Sequence, residues 1–298
     1  MAVSVADPPI VLLAGPTASG KSAMALDWAE RTGGIVLNAD SMQLYTDVPT
    51  LTARPSPDDE ARARHLLYGH LAPDATWSAG EWVRAAKPWL DRAIAGGQPV
   101  CVTGGTGLYF NSLVHGLAEI PEIGEGARTQ ARGDFDSLGE DVFRKNLKDA
   151  DPRAEARIAA NDRQRLCRAW EVWLETGRSL SDWQDDTAPV LGEGSYRLDI
   201  LTPDRAWLYE RCDRRFVQMV AHGALDEVRD VISRGLQPDW PVMRVLGLGE
   251  CVAHLEGHMT LDEAMSLAQQ KTRNYAKRQM TWFRNQFIGH LAGKAGSS

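Results

Sequence analysis

The stretch "GPTASGKS", residues 15–22, constrains this chain more than any other. It fits G-x-x-x-x-G-K-S, a loop that needs a strand before it and a helix after it. Gly15 and Gly20 permit a tight turn and close backbone approach. The run Gly15, Pro16, Thr17, Ala18, Ser19, Gly20, Lys21 and Ser22 can therefore wrap a diphosphate or longer oligophosphate. Its N–H groups and the following helix N-terminus supply partial positive charge. Lys21 adds a full charge, and the Ser22 hydroxyl can ligate Mg²⁺. The loop alone specifies neither which phosphate is held nor whether it is passed on or discarded.

The flanking pattern supplies the required context. "PIVLLA" (9–14) is short, apolar and bounded by proline and glycine, as a buried strand should be. "SAMALDWAERTG" reads as a helix closed by Gly33 and Gly34. "IVLNAD" (35–40) and "PVCVTGG" (99–105) read as further strands. Between them, residues 80–97 have helical spacing, which Pro88 should kink or break. From about 113 the pattern offers helices and turns without a convincing strand, until "YRLDILT" (196–202). Two or three helices fill 204–235, and Pro203 suits a helix start. Residues 260–287 form one long helix, with Thr260 and Glu263 spaced as a capping box. The tail "AGKAGSS" is expected to be disordered. The fold class is thus α/β: a P-loop core with a parallel β-sheet flanked by helices, interrupted by a helical insertion domain. Residues 1–112 and 191–298 are assigned to the core and 113–190 to the insertion.

Composition narrows the function classes. At 43% hydrophobic and 24% charged over 298 residues, the chain reads as a soluble globular protein. No apolar run reaches the roughly 18 residues of a membrane span. The N-terminus lacks a basic start followed by a signal-type stretch, so a cytoplasmic protein with no membrane partner is expected. Cys101, Cys167, Cys212 and Cys251 lie far apart, which argues against a zinc ribbon or disulfide framework and suits buried thiols in a reducing cytosol. The net charge of −7 does not by itself suggest nucleic acid, but residues 264–298 contain Lys271, Arg273, Lys277, Arg278, Arg284 and Lys294 and no acid. Such a stripe can bind phosphates on an acidic protein.

Two regions stay open on the residues alone. Asp40, at a strand end, can serve magnesium, act as a base, or cap the turn begun by "ADSMQ". In "NDRQRLCRAWE", Gln164 and Arg168 are four apart and Arg165 is three from Arg168, so one helix face can meet RNA. Residues 151–178 hold six arginines and five acids, so that face can equally be laced by ion pairs.

"GPTASGKS", "NADSMQLY", "TARPS", "VTGGTGLYFNSLVHGL", "NDRQRLCRAWEVWLETGRSLS", "RCDRRFVQMVAHGALDEV" and "TRNYAKRQMTWFRNQ" occur in this order. Together, over roughly residues 9 to 288, they closely resemble the tRNA dimethylallyltransferases, or tRNA isopentenyltransferases. The resemblance implies transfer of a dimethylallyl group from dimethylallyl diphosphate to N6 of adenosine 37, in tRNAs reading codons that begin with U. Mg²⁺ is required and diphosphate released. It implies that the insertion grips the tRNA anticodon stem-loop and that the adenine is flipped into a channel opposite the donor. A single copy of the chain is the expected working unit.

The resemblance also carries residue roles. Asp40 matches the general base, and Thr106 a threonine near the reacting centre. Arg215 matches the diphosphate-contacting arginine, with Arg214 the alternative. Asp40, Ser41, Met42 and Gln43 match the adenine-side segment. Arg128, the run Gln164, Arg165, Leu166, Cys167 and Arg168, and Lys271 and Arg278 match tRNA-side positions. Without it, Arg215 reads as a solvated helix charge and Thr106 as a turn hydroxyl or a site residue. In the last helix, Trp282 and Phe283 are expected to dock on the core while the basic face meets RNA. Departures occur where bacterial members usually have "GTAKPS", "IGYKE" and "PHHLID": here they read "LTARPS", "LGLGE" and "ARHLLY", which places Leu51, Arg54, Leu248 and Gly249 outside any carried-over contact. No zinc-finger segment follows, as in the shorter bacterial type. A small-molecule kinase, a prenyltransferase of free adenine nucleotides and a non-catalytic RNA-binding protein are the rival readings.

Overall fold

A computed structural model describes residues 8–287. Its α/β framework is β1 (Ile10–Ala14), α1 (Lys21–Thr32), β2 (Ile35–Asn38), α2 (Pro49–Thr52), α3 (Pro57–Arg62), β3 (Arg64–Leu66), α4 (Ala79–Ile94), β4 (Val100–Gly104) and α5 (Gly107–Val114). Five helices follow: α6 (Glu125–Leu138), α7 (Glu140–Ala150), α8 (Pro152–Arg157), α9 (Arg163–Thr176) and α10 (Leu180–Asp185). The chain then returns through β5 (Tyr196–Ile200), α11 (Arg205–Ala221), α12 (Ala224–Ser233), α13 (Leu248–Leu255) and α14 (Leu261–Gln286). Two compact units result: one takes the chain up to Val114 and from Leu191 onward, the other His115–Val190.

In the first unit the strands form one parallel sheet in the order β3-β2-β4-β1-β5. Parallel strands covered on both faces must be apolar along their length. β1, β2 and β4 meet this condition, with every residue buried. Ala14 pairs with both Gly104 and Ile200, so β1, β4 and β5 end level and release their loops at one edge. β2 joins that edge, with Asn38 opposite Thr103. Open parallel sheets bind ligands outside the carboxyl ends of their strands.

The second unit is helical. Phe143, Leu147, Leu166, Ala131 and Ala169 form its buried centre. Phe135 and Trp170 meet the Phe143 ring edge-on.

Two expectations are revised. Pro88 does not end its helix: α4 runs unbroken across it, with both Pro88 and Arg84 on the solvent side. The carbonyl that loses its N–H partner lies four residues earlier, at Arg84, where water can serve it. Pro203 also does not open α11, because Asp204 caps it by accepting from the Trp207 N–H. The capping box of Thr260 and Glu263 is present on α14, and all four cysteines are buried and free. Lys294 and the tail "AGKAGSS" lie outside the described residues. Among the described residues, no helix is long and apolar enough to cross a membrane.

Asn38, fully buried at the end of β2, fixes the path of the chain beyond that strand. Its Oδ1 accepts from the Asp40 N–H at 2.8 Å, while Nδ2 donates to the carbonyls of Leu67 and Asp40 at 2.8 and 3.0 Å. Asn38→Ala strands these groups away from water and should destabilise the protein by about 1–3 kcal/mol. The expected readout is a lower urea midpoint with an unchanged m-value.

Candidate active site

The phosphate loop joins the end of β1 to α1. Gly20 caps α1 at φ 93°, a backbone conformation that costs glycine little and other residues much. Ala18 adopts φ 62° in the same turn, local strain of the kind functional loops store. No side chain caps α1, and its first turn has no acid, so its N–H groups are left for an external anion. The Ser19 hydroxyl is buried with no hydrogen-bond partner. Lys21 is buried and donates to the Pro16 carbonyl at 3.2 Å. Burial pushes its ammonium down to about 8, against the opposing pull of Asp40 and with added repulsion from Arg215.

Arg215 reaches the loop from α11. It donates to the Thr17 hydroxyl at 3.3 Å and to the Thr52 carbonyl at 3.4 Å. Burial lowers its pKa from the usual arginine value, offset in part by Asp40. Arg211 donates to the Ala18 carbonyl at 2.9 Å. Arg214 is exposed beside Glu210, at 3.6 Å, yet it borders the outer side of the loop with Arg211 and Arg215.

Across the cavity lies the turn after β2. Asp40 caps the short 3₁₀ turn Ser41–Leu44, with Oδ1 accepting from the Met42 N–H at 3.0 Å. It also lines the cavity shared with Lys21, Ser22 and Arg215. The capping and site readings of Asp40 are therefore compatible, because one carboxylate oxygen is committed to the turn. Thr106, just past β4, accepts from the Ser41 N–H at 2.8 Å and donates to the Ser41 hydroxyl at 3.2 Å. Its hydroxyl thus orients the Asp40 turn. The amide nitrogen of Gln43 donates to the Thr52 and Ala53 carbonyls at 3.0 and 2.7 Å. Met42, Leu51, Phe216, Met219, Val245 and Leu246 give the cavity an apolar side, and Thr52, Thr272 and Tyr275 also line it. Leu51 and Leu248 are core residues packed with Phe216, and Arg54 donates to the Tyr45 and Thr46 carbonyls at 3.3 and 3.2 Å.

The basic helix α14 divides its charges. Lys271 pairs with Glu250, which is buried on α13, and Arg273 bonds Asp213 at 2.6 Å. Lys277, Arg278 and Arg284 are exposed, with Arg278 5.6 Å from the centre of the Tyr275 ring. Phe283 is buried against Phe110 and Phe287. Trp282 covers Gly107, where a Cβ would come within 2.1 Å of its ring.

In the helical unit, the run on α9 needs correction. Leu166 and Cys167 are not RNA-facing side chains; they are 0% and 7% exposed in the core of that unit, because α9 turns this face toward α6 and α7. Gln164 and Arg165 are exposed, while Arg168 is half-buried. Arg165 pairs with Asp162 and Arg168 with Glu171, so intrahelical ion pairs do lace this face. Arg128 on α6 stands 3.8 Å from Glu125.

Gln279 and Asn38 escaped the sequence reading. Gln279 is a polar residue on the buried stripe of α14, between Ala276 and Phe283, and that misfit was the available signal. Asn38 ends an otherwise apolar strand in the same way.

An IPP transferase family model matches residues 43–286, and an isopentenyl transferase model matches residues 8–71. The chain belongs to the IPP transferase family. The tRNA dimethylallyltransferases of Caulobacter sp. strain K31 and Phenylobacterium zucineum are each 52% identical to it, over 94% and 95% of this chain and 91% and 92% of theirs. The crystal structure of the full-length tRNA isopentenylpyrophosphate transferase of Bacillus halodurans matches at TM-score 0.63 and 32% identity, covering 93% of this chain and 86% of that one. A eukaryotic dimethylallyltransferase acting on tRNA shares the fold at TM-score 0.81 and 23% identity, over 95% of this chain and 72% of its own.

The buried lysine of this family member gives a pH test. Burial brings the Lys21 ammonium down to about 8, and a bound diphosphate anion would oppose that shift and hold the proton on. Affinity for a diphosphate monoester, followed by calorimetry from pH 7.5 to 9.5, should therefore fall as pH rises through about 8. Lys21→Met should bind more weakly and lose that step.

Proposed function

We propose that this enzyme transfers the dimethylallyl group of dimethylallyl diphosphate to N6 of adenosine 37 in tRNAs reading codons that begin with U, with release of diphosphate. One observation carries this reading: a single cavity places buried Lys21 and half-buried Arg215 beside Asp40, against a wall of Met42, Leu51, Phe216 and Val245. A diphosphate with a five-carbon apolar tail has that division of character.

In the reaction a bond forms from N6 to the allylic carbon, and the bond from that carbon to the bridging oxygen breaks. The electron pair leaves with the diphosphate. Loop N–H groups, Lys21 and Arg215 stabilise the charge that builds there. Asp40 takes the proton from N6 through the oxygen not used in capping. A carboxylate is a weak base at neutral pH, so its placement matters more than its basicity. Thr106 holds the Ser41 turn and hence Asp40.

Magnesium fits this arrangement. Ser22 stands on the first turn of α1 and lines the cavity shared with Asp40. Among the described residues, no three His, Cys, Asp or Glu side chains cluster as a metal site; the Ser22 hydroxyl is the group of this chain that would hold the ion. When bound it would supply charge for the leaving group. The flipped adenine is assigned to the Asp40–Gln43 turn. The anticodon stem-loop is assigned to Gln164, Arg165, Arg168 and Arg128 of the helical unit and to Lys271, Arg278 and their basic neighbours on α14. The partial neutralisation of Arg165, Arg168 and Lys271 means that these groups would exchange protein carboxylates for RNA phosphates on binding.

Incubation with dimethylallyl diphosphate, Mg²⁺ and total tRNA lacking the modification should yield N6-dimethylallyl adenosine on nucleoside mass analysis. Absence of that product, with ATP consumed instead, overturns the reading. Asp40→Asn should lower kcat by about 10²-fold or more while tRNA affinity in a filter assay changes far less. Equal loss of both would remove Asp40 from the role of base.

A further inference from the structure

The two halves of the proposed site lie on different loops, and the reaction needs them at one fixed separation. One buried side chain connects them. Gln279 of α14 is 5% exposed. Its Oε1 accepts from the Thr17 N–H at 2.8 Å, and its Nε2 donates to the Gly105 carbonyl at 2.9 Å. Thr17 holds Arg215 through its hydroxyl. Gly105 precedes Thr106, which holds Ser41 beside Asp40. A relay of hydrogen bonds and adjacent residues therefore runs from the diphosphate-side arginine to the acceptor-side aspartate, and Gln279 is its middle link.

The contact is specified on both sides. A Cβ at position 105 would lie 2.0 Å from Gln279 Nε2, so glycine there is what lets the amide approach. The Thr17 N–H is held by Gln279 and is thereby removed from phosphate binding. What the amide contributes is the position of the loop. A primary amide is well suited to this link, because it offers an acceptor and a donor from one planar group.

We infer that Gln279 is a positioning residue, which sets the distance and orientation between the diphosphate cradle and the Asp40 turn. This rests on the transferase reading above. Losing the link should leave each half able to bind its own ligand while misaligning donor carbon and acceptor nitrogen. Small misplacements of that kind are costly in kcat.

The test uses the full-length enzyme with Gln279→Ala and Gln279→Glu. Gln279→Ala should lower kcat by about 10- to 100-fold, with the KM for dimethylallyl diphosphate and the Kd for tRNA each moving less than about threefold. Gln279→Glu separates alignment from packing, because it keeps the shape. Ionised, it cannot donate to the Gly105 carbonyl; protonated, it offers one donor and one acceptor, as the amide does. Its kcat divided by the wild-type value at the same pH should therefore rise as pH falls. The division removes the titrations common to both proteins, including those of Lys21, Asp40 and Arg215 around the cavity and of the adjoining Tyr275 phenol, which burial raises. Three results overturn the inference: Gln279→Ala within about threefold of wild-type kcat, parallel loss of kcat, substrate affinity and melting temperature, or a pH-independent ratio for Gln279→Glu. Failure of the wild-type enzyme to prenylate tRNA would instead overturn the transferase reading itself.

Discussion

The buried ammonium of Lys21 is the interaction on which the rest of the site depends. An ionised lysine loses hydration on burial, and here it donates to the Pro16 carbonyl instead of a carboxylate. Arg215 stands close enough to add repulsion, and Asp40 only partly offsets it. Such an arrangement is costly until an anion arrives. The uncapped N-terminus of α1 and the unpartnered Ser19 hydroxyl have the same character. Lys21 and Arg215 gather positive charge that Asp40 offsets only in part, and the level ends of β1, β4 and β5 provide the rigid edge on which that set is mounted.

The turn after β2 answers the loop with the opposite logic. Almost every polar group there is satisfied internally: Asn38 holds Asp40 and Leu67, Thr106 holds Ser41, and Gln43 holds the carbonyls at the end of α2. This turn restrains Asp40 through its backbone and through one carboxylate oxygen. Gln279 then links the unsatisfied half to the satisfied one.

Much of the fold was legible because its signals are local. Buried parallel strands read as short apolar runs, and β1, β2 and β4 were visible on that ground. β3 was not: it is three residues long at the sheet edge, and Arg64 is exposed, so it carries no apolar run. Pro88 misled because its cost depends on whether the orphaned carbonyl reaches water, which a sequence does not state. Leu166 and Cys167 sit inside a run whose neighbours are polar, and only the packing of α9 against α6 and α7 reveals that they face inward.

By itself the sequence determined the phosphate loop, the order of the longer strands and helices, the family, and the candidate roles of Lys21, Ser22, Asp40, Thr106 and Arg215. The loop with Lys21 and Ser22 comes from short-range spacing, where turn geometry and charge are written in consecutive residues, whereas the roles of Asp40, Thr106 and Arg215 come from the family resemblance. Only the tertiary structure decided that Asp40 both caps its turn and faces the cavity, that Lys271 is tied to Glu250, and that Gln279 joins two loops lying 174 and 262 residues before it in the chain. The physical reason is that a hydrogen bond depends on distance and direction in space, and residues so far apart acquire both only when the sheet and α14 have packed.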